Sequence, residues 1–119
     1  MPFWKRKPKP MLEPELSRED MEELVDESIK FAKIYASDGS VSGMEMALQD
    51  AVKYGRKIGR SFDSIEIAKI KLMGYERGEK VMLEREAELR KAGRLNEAQN
   101  ALRLAELYGT EAMLLKKTL

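Results

Sequence analysis

Cysteine and histidine are both absent from this chain of 119 residues. Without cysteine there is no disulfide framework, no thiolate nucleophile and no thiolate metal site. Without histidine the chain lacks the commonest general base, the commonest transition-metal ligand and the usual switch near neutral pH. Glutamine and asparagine number two each, against 36% charged residues, a balance that fits a thermophilic source. Eight methionines argue mildly against an extreme form of that reading. No run of 18 apolar residues occurs, so the sequence predicts no transmembrane span. Its start has neither a hydrophobic signal core nor a small-residue cleavage site, which points to the cytoplasm.

Proline is missing from most of the chain. Pro2, Pro8, Pro10 and Pro14 are the only four, all within the first 14 residues. Proline removes a backbone donor and clashes with the preceding helical turn, so the sequence divides into an extended basic arm, residues 1–16, and a single helical domain, residues 17–119. The domain is long enough to bury a core without covalent staples. The overall charge of +1 hides a segregation. Within residues 1–14, Lys5, Arg6, Lys7 and Lys9 against Glu13 leave the arm positive, while the rest of the chain is slightly acidic. A body so nearly neutral is no general polyanion binder, and any such role falls to local patches.

The expected fold class is all-α, with four to five helices in two antiparallel hairpins behind the arm. Ser17 is placed to cap the first helix, with Asp20 three residues on and acids crowding the first turns, where the helix dipole favours them. Met21, Leu24, Val25, Ser28, Ala32 and Tyr35 keep the spacing of one buried face, which Ile29, Phe31 and Ile34 widen. Ser37-Asp38-Gly39-Ser40 reads as a turn. Ser42 with Glu45 suggests a second capping box, and the helix behind it should bury Met44, Ala47, Leu48, Ala51, Val52, Gly55 and Ile58. Glycine within a helix costs about 1 kcal/mol relative to alanine, so Gly55 and Gly59 imply close approach of a neighbouring helix, with a helix end as the alternative for Gly59.

Ser61 or Asp63 can cap a third helix that should run to about Ala92, about 42 Å at 1.5 Å per residue. Its first half is apolar on several sides, and Gly74 and Gly78 mark a kink or a close crossing. Such length implies that part of it overhangs the core or meets a second copy. Gly93 ends it. Asn96 is expected to cap a fourth helix, and Gly109-Thr110 to separate a short fifth, Glu111–Lys117.

Catalytic chemistry has few candidates. Glu22 and Asp26, Glu23 and Glu27, and Glu84 and Glu88 are carboxylate pairs at i, i+4, but basic residues and other acids surround them on outer faces, which makes a solvated surface. No phosphate-binding glycine loop, dinucleotide fingerprint or nucleophile elbow is present. The expectation is a non-enzyme without cofactor, metal or small-molecule substrate.

Two features point to binding instead. Lys53, Arg56, Lys57 and Arg60 share one face of the second helix at i, i+3, i+4 and i+7, a plausible clamp for phosphates. The bland alternative is a soluble helix C-terminus whose cations answer the dipole. The arm joins Phe3 and Trp4, which can stack or wedge, to the cations Lys5, Arg6, Lys7 and Lys9. That combination suits nucleic acid or a ribonucleoprotein surface, or an anionic membrane, where each Lys or Arg contributes about 1 kcal/mol. The arm could also fold back as a strap over the body. The leading expectation is a binding or assembly protein whose arm contacts nucleic acid or a ribonucleoprotein. The alternative is a protein–protein adaptor or oligomerising subunit, with membrane attachment a lesser one.

Helix, turn and helix occur twice, with Ser42 to Gly59 echoing Gly93 to Gly109. In the second copy, Gly93, Ala98 and Ala105 match the spacing of small residues in the second half of a tetratricopeptide repeat, so residues 93–109 resemble such a helical hairpin. Leu89 stands where that family has an aromatic, and Glu86 where it has glycine. The resemblance implies a protein-binding groove.

Overall fold

The computed structural model describes residues 16–119, and the described residues are all-α. Four helices follow in order: α1 Arg18–Asp38, α2 Val41–Lys57, α3 Ser64–Lys91 and α4 Leu95–Thr118. No strand occurs among the described residues. The arm, with the expectations placed on Phe3, Trp4, Lys5, Arg6, Lys7 and Lys9, lies outside them.

Local chemistry sets most of the helix bounds. The Asp20 amide donates to Ser17 Oγ at 3.0 Å, which caps α1. The Ile65 amide donates to Asp63 Oδ1 at 2.9 Å, which caps α3. Gly39, Gly59 and Gly93 follow α1, α2 and α3 with φ of 77°, 70° and 76°, a left-handed conformation that glycine adopts without steric cost. Beyond each, the chain closes back on the helix. The Ser40, Arg60 and Arg94 amides donate to the carbonyls of Tyr35, Gly55 and Leu89, five residues behind, the outer bond of a Schellman motif.

Those turns make two antiparallel hairpins, α1–α2 and α3–α4, and α3 is where the first hairpin sits on the second. The core gathers at that junction: Ala32 and Ala36 from α1, Val41, Met44 and Leu48 from α2, Ile70 and Tyr75 from α3, and Ala112 from α4. Met44 is fully buried, worth about 1.5–3 kcal/mol for a side chain of its size. Gly74 and Gly78 are the seats of the crossing. A Cβ on Gly74 would run into Met44 Sδ, and one on Gly78 would come within 2.7 Å of Val41 Cγ2. Within the second hairpin α4 presents a row of alanines, Ala98, Ala101, Ala105 and Ala112, all buried. Farther in, the Tyr75 and Tyr108 rings lie tilted at 6.1 Å between centroids.

Several expectations change. Helix α2 begins at Val41, with Ser40 rather than Ser42 at its cap position and no side-chain cap bond. Burial of Val41 draws the chain into helix before the Ser42 box can operate. Asn96 is likewise inside α4, which starts one residue earlier. The Ala98 amide donates to the Arg94 carbonyl at 2.9 Å, and the Arg94 side chain binds Glu97. Gly109-Thr110 does not break α4. Gly109 lies against the Glu79 carboxylate, and Thr110 Oγ1 donates to the Glu106 carbonyl at 2.9 Å, so four helices, not five, result. Phe31, Ile34 and Tyr35 are exposed, because α1 meets its neighbours through Val25, Ala32 and Ala36. Gly55 seats the Phe62 ring from the α2–α3 connection, not a neighbouring helix.

Candidate docking cleft

Helices α2 and α3 touch much less than α1 and α2 do, and between them a cleft opens. It has two lobes, with volumes of about 390 and 500 Å³, that share Val52, Arg56 and Lys71. Leu48 and Val52 form the α2 side of the floor. Phe62, Ile67, Ala68 and Leu115 form the rest of the larger lobe, with Ser61 and Ser64 at one end. The volumes fall within the range of ordinary ligand and peptide sites.

The rim is basic on both sides. Lys53 and Arg56 stand on α2, Lys71 on α3, and Arg60 at the mouth of the larger lobe, with Glu45 the one acid in the lining. Three of the four cations predicted for the second helix therefore converge on one cleft. Arg60 does so from beyond the helix, because α2 ends at Lys57 and the turn at Gly59 carries it there. Lys57 is not part of the lining and stands 5.5 Å from the centroid of the Tyr54 ring, with Lys53 at 5.4 Å. Such cation–π contacts are worth about 0.5–1 kcal/mol at exposed positions.

Partners separate the cations further. Arg60 Nη1 meets Asp26 Oδ1 at 2.7 Å and its guanidinium stands 5.4 Å from the Phe62 ring centroid. Among the described residues no ion pair engages Lys53, Arg56 or Lys71. Three cations outside any ion pair thus border an apolar floor, with Glu45 the one carboxylate in the lining. Lys71 and Phe62 were not singled out from sequence. Lys71 lies four residues beyond Ile67, and that spacing puts it on the floor-lining face of α3, a signal masked by the apolar residues around it.

The acid pairs are elsewhere. Glu22, Asp26, Glu23, Glu27, Glu84 and Glu88 are all exposed. No charged side chain is buried among the described residues, and no cluster of carboxylates there has a metal-binding arrangement. The shifted tyrosines belong to the core. Burial, followed by the charges of Glu45 and Glu111, pushes Tyr75 up to about 12; burial and then Glu45 raise Tyr108. No helix of the described residues is long and apolar enough to cross a membrane.

No protein-family model matches the chain, and neither does any curated protein or solved structure.

Proposed function

We propose that the protein is a non-catalytic binding module that holds a segment of an anionic partner in the cleft between α2 and α3. The observation that carries this reading is the set of cations outside any ion pair, Lys53, Arg56 and Lys71, around an apolar floor with a single acid, Glu45. Charge of one sign focused in a cleft steers an oppositely charged partner and raises its encounter rate. The spacing of Gly93, Ala98 and Ala105 that resembles a tetratricopeptide hairpin supports the same role. Exposed Leu83, Leu95, Leu104 and Leu107 on the second hairpin support further protein contact, with another protein or a second copy.

A second reading, nucleic acid or a ribonucleoprotein surface as the partner, is favoured by the arm. Phe3 and Trp4 beside Lys5, Arg6, Lys7 and Lys9 would extend the positive surface of Lys53, Arg56, Lys57 and Arg60. Four phosphate contacts would give a salt slope of about −3.6 on duplex DNA, and deletion of residues 1–14 should flatten it.

The test compares the protein with a Lys53→Gln/Arg56→Gln/Lys71→Gln variant for binding to polyuridylate and to an acidic amphipathic peptide across a salt series. At least one probe should bind, weaken with salt, and lose more than about tenfold in affinity to the variant. If neither probe binds, or the variant binds equally well, the cleft is not the site.

A further inference from the structure

We infer that the occupant of the cleft is an amphipathic α-helix from a protein partner, with an apolar stripe flanked on both sides by Asp or Glu. This rests on the cleft being the binding site and goes on to name what fills it. Three observations converge. The floor is apolar along its whole length, from Leu48 and Val52 to Phe62, Ile67 and Leu115, so the occupant must bring apolar side chains. Cations border it from both helices, Arg56 on one side and Lys71 on the other, so the acids must flank the stripe rather than form one block.

The third observation concerns the backbone. The two long walls are helices, whose interior amides and carbonyls are already paired within α2 and α3, and neither offers a strand edge. Only Arg60, Ser61 and Phe62, in the connection at one end, are outside helix. An extended peptide laid between them would find no main-chain partners along the helical walls. A helix brings its own hydrogen bonds and needs only side-chain contacts, the helix-in-groove mode of recognition. Along α2 the lining runs from Glu45 to Arg56, about 17 Å at 1.5 Å per residue, or three turns. Apolar anchors at i, i+4, i+7 and i+11 span that length. The half-buried Phe62 ring, sunk against Gly55, is a floor for such anchors and not an open platform on which bases stack.

The test uses the full chain and a labelled peptide of about 14 residues, with leucines at i, i+4, i+7 and i+11 and glutamates on both flanks. Its control is a peptide of the same composition with the leucines shuffled off one face. Anisotropy reports binding, and circular dichroism reports whether the peptide becomes helical. The patterned peptide should bind and gain helix, and the shuffled one should bind at least about tenfold more weakly. Arg56→Glu and Val52→Asp should each weaken binding by about tenfold or more, while Lys57→Glu, outside the lining, should not. Lys71→Gln, a milder change at a half-buried site, guards against a variant that fails to fold. Equal binding of both peptides, or binding without helix, overturns the inference. Salt-sensitive binding of polyuridylate or of anionic vesicles alone, lost in Arg56→Glu, also overturns it but leaves the cleft as the site. If none of the probes binds, both readings fall.

Discussion

Alanine in place of glycine within a helix ordinarily stabilises by about 1 kcal/mol. At Gly78 the added Cβ would lie 2.7 Å from Val41 Cγ2 and 3.1 Å from Tyr108 Cδ2, and overpacking of that kind costs about 1–3 kcal/mol. Gly78→Ala is therefore expected to lower the urea midpoint of unfolding; a raised midpoint would mean that α1–α2 does not sit on α3 at this point. Met44 tests the same junction from the other side. It is fully buried, so Met44→Ala should cost about 2–5 kcal/mol, read in the same titration. A third residue gives the junction a pH dependence. Tyr75 is raised to about 12 by its burial first and then by the charges of Glu45 and Glu111. The folded chain thus holds this proton more tightly than the unfolded chain, whose tyrosine titrates near pH 10. Its contribution is complete below pH 10 and is lost as pH rises from there to about 12. In Tyr75→Phe the fall in stability across that window should be shallower, and an unchanged slope would exclude Tyr75 as its source.

Among the elements, α3 is the one whose two ends the sequence states most directly, through Asp63 at its start and Gly93 just past its end. The α2 start and the unbroken α4 were harder to read, because both were decided by contacts between helices. Ser42 and Glu45 have the spacing of a capping box, yet the helix starts where Val41 can be buried. Gly109 has the look of a helix stop, yet it is a seat for Glu79. The same limit applies to the cleft. Lys53, Arg56, Lys57 and Arg60 share a helical face by arithmetic, but which of them faces a groove depends on how far α2 and α3 diverge. Lys71, Phe62 and Leu115 come from three other places in the chain. The distal part of the α3–α4 hairpin, beyond Gly78 toward Gly93, has its own consequence. There the buried residues are alanines of α4, Ala98, Ala101 and Ala105, and no buried residue of α3 lies beyond Gly78. Local opening follows low burial, so amides from about Glu84 to Leu95 should exchange with deuterium faster than helical amides from Ile70 to Gly78. Equal protection along α3 would require a further surface covering the tip.

At the scale of the molecule, two hairpins meet across α3, and one connection, between Lys57 and Ser64, joins them. The α2–α3 cleft lies beside that join, so the site and the junction share Leu48 and its neighbours while the tip at Gly93 stands apart. Charge reversal at Arg56 should then weaken binding while lowering stability by only about 0.3–1 kcal/mol, the helix-dipole effect of its place in the last turn of α2, because its side chain is exposed and is in no ion pair among the described residues. The hairpin plan also bears on how the chain finds this structure. Most contacts between helices join elements adjacent in sequence, α1 with α2 and α3 with α4, so loops close over short stretches before the α1–α3 contacts are made. Chains with such local connectivity fold in microseconds to milliseconds. No X–Pro bond lies within residues 17–119 to impose a delay of tens of seconds on the helical body. Refolding of the helical body from urea should therefore be one fast exponential.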